Sequence, residues 1–216
     1  VIVFQYILHV GSVGNYPYVS WYLPAMAMWM TVNDTIINAS NSIRAYSYLV
    51  KKVVFPVDVI PLISTVASSF VSLFLFIIAI VVSSVFGYIP NPFILIYSIF
   101  AAYCFIIAFT RFTSAIVTVL PDFSQLLNIL MQLFFWFTPI VWDLQMVSGH
   151  FIISRVLRCI PFTYLVSAIR QAFIGENIIT RGHCFYTIVF WVITAILFVW
   201  GNHIFKKTKK DFADVL

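Results

Sequence analysis

Charge is the scarcest property of this sequence: 9% of its residues are Asp, Glu, Lys or Arg, where soluble domains carry about a quarter. That deficit excludes an ordinary soluble domain. Strand-length windows alternating apolar and polar residues are also missing, which argues against a membrane β-barrel. Cysteine is sparse: Cys104, Cys159 and Cys184 show no C-x-x-C spacing, and an odd total makes no disulfide framework by itself. They read as packing residues, with a Cys159–Cys184 bridge open only if both lie outside the cell. No GxxxxGK[ST] phosphate loop occurs, so energy must arrive through a partner or a gradient. His9, His150, His183 and His203 stand far apart without metal-ligand spacing. No catalytic residue, metal site or bound cofactor is therefore expected on this chain.

What the sequence does have is apolar length, with 62% hydrophobic residues and a mean hydropathy of +1.03. A bilayer core about 30 Å thick needs roughly 20 apolar residues per helix, and several such runs follow one another. The fold class is all-α, a polytopic membrane protein. Residues 1–10 would cover about half a bilayer at about 1.5 Å per residue. The chain is therefore expected to start inside a partial first span, with no signal-peptide lead or cleavage site. Residues 11–20, with two glycines, Asn15 and Pro17, read as a turn at the membrane surface. Further spans are expected at about 21–43, 57–86, 93–112, 123–142 and 185–205. Pro24 falls in the first turn of the second span, Phe55-Pro56 leads into the third, and a polar joint with Arg111, Pro121 and Asp122 follows the fourth. Residues 1–216 then form one transmembrane domain of six spans.

Lysine and arginine placement orients the spans. Arg44, Lys51, Lys52, Arg111, Lys206, Lys207, Lys209 and Lys210 fall on one set of faces, and Arg155, Arg158, Arg170 and Arg181 on the other. The lysine-bearing set reads as cytoplasmic, which puts both termini inside and accounts for the net charge of +5 without nucleic acid. Residues 143–183 are too polar to span and too apolar for a free loop. Phe162, Leu165, Ile169 and Phe173 recur at helical spacing there. Two readings fit: two short helices dipping back into the outer leaflet and joined near Ile160-Pro161, or an amphipathic helix lying on the surface. Asn33-Asp34-Thr35 and Asn38-Ala39-Ser40 match glycosylation sequons, but their place in a span makes the match chance.

Three segments carry a resemblance. SNSIRAYSYLVKKVVFPVDVIPLIS, PDFSQLLNILMQLFFWFTPIVWD and the closing GNHIFKKTKKDFADVL together resemble the type-2 ABC exporter permeases that move O-antigen, capsule and wall teichoic acid polymers. LVKKVVFP and FADVL lean toward the teichoic acid and related polysaccharide branch. The resemblance implies a homodimer of six-helix subunits in the bacterial cytoplasmic membrane, each above a separate ATPase that binds ATP and Mg. A lipid-linked polymer would pass along the subunit interface. Two departures stand out: the family's N-terminal amphipathic helix does not precede the first span, and Ile160 stands before Pro161 where Asn is common.

Residues 41–55 then become a cytoplasmic coupling helix with Arg44, Tyr48, Leu49, Lys51 and Lys52 at the ATPase contact. Lys51 and Lys52 equally suit anchoring at anionic headgroups. Thr31, Asp34, Asn38 and Asn41 recur at steps of three and four on the second span. An ionisable residue there faces a cavity or a partner, or hydrogen-bonds a neighbouring helix. Gln125, Asn128 and Gln132 lead into Phe135 and Trp136 on the fifth span, amides below and rings above, as a sugar chain requires. By resemblance the first span, with Phe4, and the fifth line the translocation path. The other reading makes the amides helix glue and the rings an interfacial belt. Arg155, Arg158 and Arg170 could grip polymer phosphates on the outer side or snorkel to lipid phosphates. Rival functions are an intramembrane glycan polymerase or ligase, which would need a convergent catalytic site, and a type-2 exporter of drugs or small lipids.

Overall fold

Backbone polar groups inside a bilayer must be satisfied within the chain, and an uninterrupted apolar run does so as a helix. The computed structural model describes residues 12–13, 16–48, 56–147, 149–175, 184–210 and 212. Phe4, Leu49, Lys51, Lys52 and Arg181 lie outside the described residues.

The surface turn is a minimal hairpin: β1 (Ser12–Val13) pairs antiparallel with β2 (Tyr16–Pro17), Ser12 opposite Pro17 and Val13 opposite Tyr16. Helix α1 (Tyr18–Ala45) follows at once, so Pro24 falls in its second turn. A 3-10 turn (Val57–Val59) entered through Pro56 leads into α2 (Ile60–Val85). Gly87, at φ +83°, supplies the left-handed conformation that ends this stretch. Pro92 opens α3 (Pro92–Val119), and the Asn91 side chain caps it by accepting the Phe93 N–H at 3.1 Å.

Helix α3 runs seven residues beyond its expected end and takes Arg111 into its interior. Pro121 sets the true break by disfavouring helical geometry at Leu120. Conversely, α4 (Phe123–Phe137) stops short of residue 142, because Pro139 lacks the donor and restricts Thr138. After a 3-10 turn at Leu144–Val147 come α5 (Phe151–Cys159) and α6 (Pro161–Ile174), bent 84° apart at Ile160. Pro161 starts α6, and Gly175 at φ +72° closes it by donating its N–H to Gln171 O at 3.1 Å. Every residue of α6 from Phe162 to Ile174 is buried. A helix resting on a surface keeps one face exposed, which α6 does not. The last helix is α7 (Cys184–Thr208).

Among the described residues three helices, residues 57–85, α3 and α7, are long and apolar enough to cross a membrane, and the bent pair passes the same test as a unit. Helix α1 has the length, but Asn33, Asp34, Asn38 and Asn41 dilute its apolar character, and α4 is only 15 residues long. All three cysteines are free.

The chain forms two compact units, and α1, α2, α3, α4 and α7 each contribute to both. The first holds residues 1–30, 72–101 and 135–190. Its core is aromatic: Trp29 packs on Phe162 at 5.6 Å and on Phe135 at 5.7 Å, and Tyr164 stacks on Phe190 at 4.5 Å. The Tyr164 hydroxyl also meets that of Tyr97 at 2.8 Å, tying α6 to α3.

The second unit holds residues 31–71, 102–134 and 191–216 and packs through small side chains. Ala39, Ser40, Ser42, Thr113, Ser114 and Ala115 are buried, and the Ser40 and Thr113 hydroxyls share a 2.5 Å hydrogen bond between α1 and α3. At Gly201 α7 presses on α3 so closely that a Cβ would lie 2.9 Å from the Phe112 backbone nitrogen.

Candidate functional site

In a bilayer an exposed side chain meets lipid, water or another protein, so its polarity tells which cover it suits. Between residues 60 and 71 the exposed positions of α2 are Ile63, Val66, Ala67, Phe70 and Val71. Between residues 191 and 200 of α7 they are Val192, Ala195, Ile196, Phe198, Val199 and Trp200, before polar His203 and charged Lys206. Those faces suit acyl chains. Two faces of the second unit do not.

On α1 the exposed stripe is Met30, Asp34 and Asn38 at steps of four, the last two in the second unit. Asn33 steadies the Asp34 carboxylate by donating from Nδ2 at 2.9 Å, and half-buried Asn41 bonds back to Ile37 O at 2.9 Å. Thr31, placed by its spacing on the same face, is instead buried. On α4, Gln125, Asn128 and Gln132 are all exposed, interleaved with Leu126, Ile129 and Leu133, while Leu127 and Met131 face the core. Asn128 donates to Ser124 O at 2.9 Å, which leaves its amide oxygen to accept.

Further along α4, in the first unit, Phe135 is half-buried against Trp29, and Trp136 stands 65% exposed. The backbone oxygen of Trp136 accepts the Trp142 indole N–H at 3.1 Å, which folds the residues after α4 back on its end.

The outer arginines divide. Arg155 is exposed and Arg158 half-buried on α5. Arg170, expected at a polymer, is 4% exposed. Its Nε, Nη1 and Nη2 donate to the backbone oxygens of Trp21, Pro139 and Ile140 at 3.3, 2.6 and 2.8 Å. These donors serve the chain's own backbone, so Arg170 joins α6, α1 and the end of α4 instead of reaching outward. The reason is its neighbourhood: α6 is buried all round, and the carbonyls freed after the α4 C-terminus attract a cation.

At the other unit, Arg44 closes α1, and its Nη1 is buried with no hydrogen-bond partner among the described residues. Tyr48 is 57% exposed, its ring 6.5 Å from that of Tyr46. Spacing alone missed a charged cluster nearby: Asp58 meets Lys209 and Arg111. Its signal was a single carboxylate at the head of an apolar run.

No curated protein matches the chain. The family model described as ABC-2 type transporter matches residues 2–174, which include α1 to α6 and both polar faces. The three membrane-length helices and the match together make this an integral membrane permease component, and the chain belongs to the ABC-2 type transporter family.

Proposed function

We propose that the chain is the membrane-spanning subunit of an ATP-driven exporter of lipid-linked cell-surface polymer, wall teichoic acid or a related polysaccharide. It works as a homodimer with two copies of a cytoplasmic ATPase that binds ATP and Mg, in the bacterial cytoplasmic membrane with both termini inside. Each subunit contributes six spans. The observation that supports this reading best is the pair of exposed polar faces, Asp34 with Asn38 and Gln125 with Asn128 and Gln132. Facing lipid, an ionisable group on a membrane helix costs about 3 kcal/mol or more. A hydrated path shared with a second copy removes that cost, and amides give a polymer's hydroxyls both donors and acceptors.

Residues 41–55 act as the coupling segment. Arg44 and Tyr48 lead into Leu49, Lys51 and Lys52, and the exposed Tyr48 ring and hydroxyl are suited to the surface of the ATPase. Nucleotide binding draws the ATPase subunits together, the segments shift, and the path between the two copies opens. Phe135 and Trp136 offer ring faces to sugars, and Phe4 extends the lining on the first span. Arg155 and Arg158 meet polymer phosphates on the outer side, as guanidinium groups suit them.

Reconstitution tests the reading. Vesicles holding the chain with its copurifying ATPase should move a labelled polyprenyl-pyrophosphate-linked poly(glycerol phosphate) when ATP is hydrolysed. Gln125→Leu with Gln132→Leu should lower that movement at unchanged protein amount. Unchanged movement would remove α4 from the path.

A further inference from the structure

Asp58 is the one acidic residue between Asp34 and Asp122 in the sequence, and the fold brings two cations to it. Its Oδ2 accepts a hydrogen bond from Lys209 Nζ, and its Oδ1 lies 3.8 Å from Arg111 Nη1. Each end charge sits where a helix favours it: Asp58 in the turn that leads into α2, Lys209 just beyond the last residues of α7. The Arg111 guanidinium also lies 5.4 Å over the Phe205 ring, and Phe205 meets Phe212 edge-on at 5.6 Å.

Apolar packing accompanies the charges. Ile43, Val57, Ile60, Ala115, Phe205 and Phe212 form one buried cluster. One turn before Phe205, Gly201 brings α7 against the α3 backbone at Phe112. The end of α1, the start of α2, the C-terminal third of α3 and the end of α7 therefore meet at one node.

The two kinds of contact do different work. Apolar faces hold helices together but allow neighbouring registers. An ion pair is directional, and this one fixes which turn of α7 stands against the head of α2. With Asp58 35% and Lys209 40% exposed, solvent screens the pair, so its contribution to static stability is small.

We propose that Asp58 is a positioning residue for energy coupling. It joins the downstream end of the 41–55 segment to α3 and α7, so a displacement delivered there reaches those helices as well as α1 and α2. This rests on the exporter reading above. Without the carboxylate the segment moves α2 while Arg111 and Lys209 stay behind, and hydrolysis proceeds with little transport.

The test compares wild type, Asp58→Asn, Asp58→Glu, Asp58→Lys and the exchange Asp58→Lys with Lys209→Asp, each in the complex with its copurifying ATPase and the labelled poly(glycerol phosphate) lipid. Asp58→Asn should keep its protein amount and ATP hydrolysis yet lose about fivefold or more in polymer moved per ATP, the lower range of coupling between sites. Asp58→Glu should stay near wild type, and the exchange should recover part of what Asp58→Lys alone loses, because it restores the pair with position 209 while Arg111 then faces a cation. Unchanged polymer per ATP in Asp58→Asn overturns the inference while leaving the exporter reading intact. So does a parallel fall of protein amount, hydrolysis and transport that the exchange fails to rescue, because that marks a purely structural role. Wild-type movement that ignores ATP overturns the exporter reading and this inference with it.

Discussion

The Arg170 guanidinium lies 3.4 Å over the centre of the Trp21 ring while its Nε donates to the Trp21 backbone oxygen at 3.3 Å. One residue of α1 thus receives the cation by both its face and its carbonyl. Stacking and charged hydrogen bonds reinforce each other where water is excluded. The arrangement holds the buried helix α6 to the start of α1 and, through Pro139 and Ile140, to the end of α4.

Replacing Arg170 should therefore act on stability first. Arg170→Met removes charged hydrogen bonds to three carbonyls and should cost about 2–3 kcal/mol. Arg170→Lys should recover only part, because an ammonium cannot offer the planar fan of donors. Thermal unfolding of the purified protein in detergent checks both. An unshifted midpoint for Arg170→Met would show that the three contacts are not maintained.

Gly201 gives a second stability prediction. Gly201→Val must displace the α3 backbone at Phe112, and overpacking of this kind costs about 1–3 kcal/mol. The midpoint should fall further than for Val199→Ala on the exposed face of the same helix, where little packing is lost.

The hydroxyl pair Ser40 and Thr113 predicts a small coupling. A double-mutant cycle to Ala should return about 0.6 kcal/mol, the average for interhelical hydrogen bonds within membranes. A coupling near zero would assign the α1–α3 contact to small-residue packing alone.

Much of this fold was legible because its rules are local. Apolar runs, Gly87, Pro92 and Pro161 mark where helices stop and start, and the residues around Ile160-Pro161 announced a break that the structure realises as an 84° bend. Helix ends moved to where proline restricts the residue before it, later than expected at Leu120 and earlier at Thr138. Amide spacing put Gln125, Asn128 and Gln132 on one side of α4, since one periodicity settles which residues share a side. What could not be read was tertiary pairing. Arg170 looked like any outer arginine because its partners are backbone oxygens from residues 21, 139 and 140, which carry no side-chain signature. Asp58, Arg111 and Lys209 are separated by 53 and 98 residues, and no spacing rule connects them.

The polar faces predict a contrast between variants of equal size change. Gln132→Leu on α4 should lower transport several-fold while the protein stays folded, since it removes a donor and an acceptor from the path. Phe70→Leu on the exposed apolar face of α2 should leave transport as it was. Rates normalised to protein in the membrane check this, and equal effects would show that exposure does not separate path from lipid.

The most direct measurement places the chain in sealed vesicles, with and without its copurifying ATPase, and follows the labelled poly(glycerol phosphate) lipid across the bilayer. The account predicts movement only when both proteins and hydrolysable ATP are present, and none with a non-hydrolysable analogue. Sustained movement by the chain alone would contradict it.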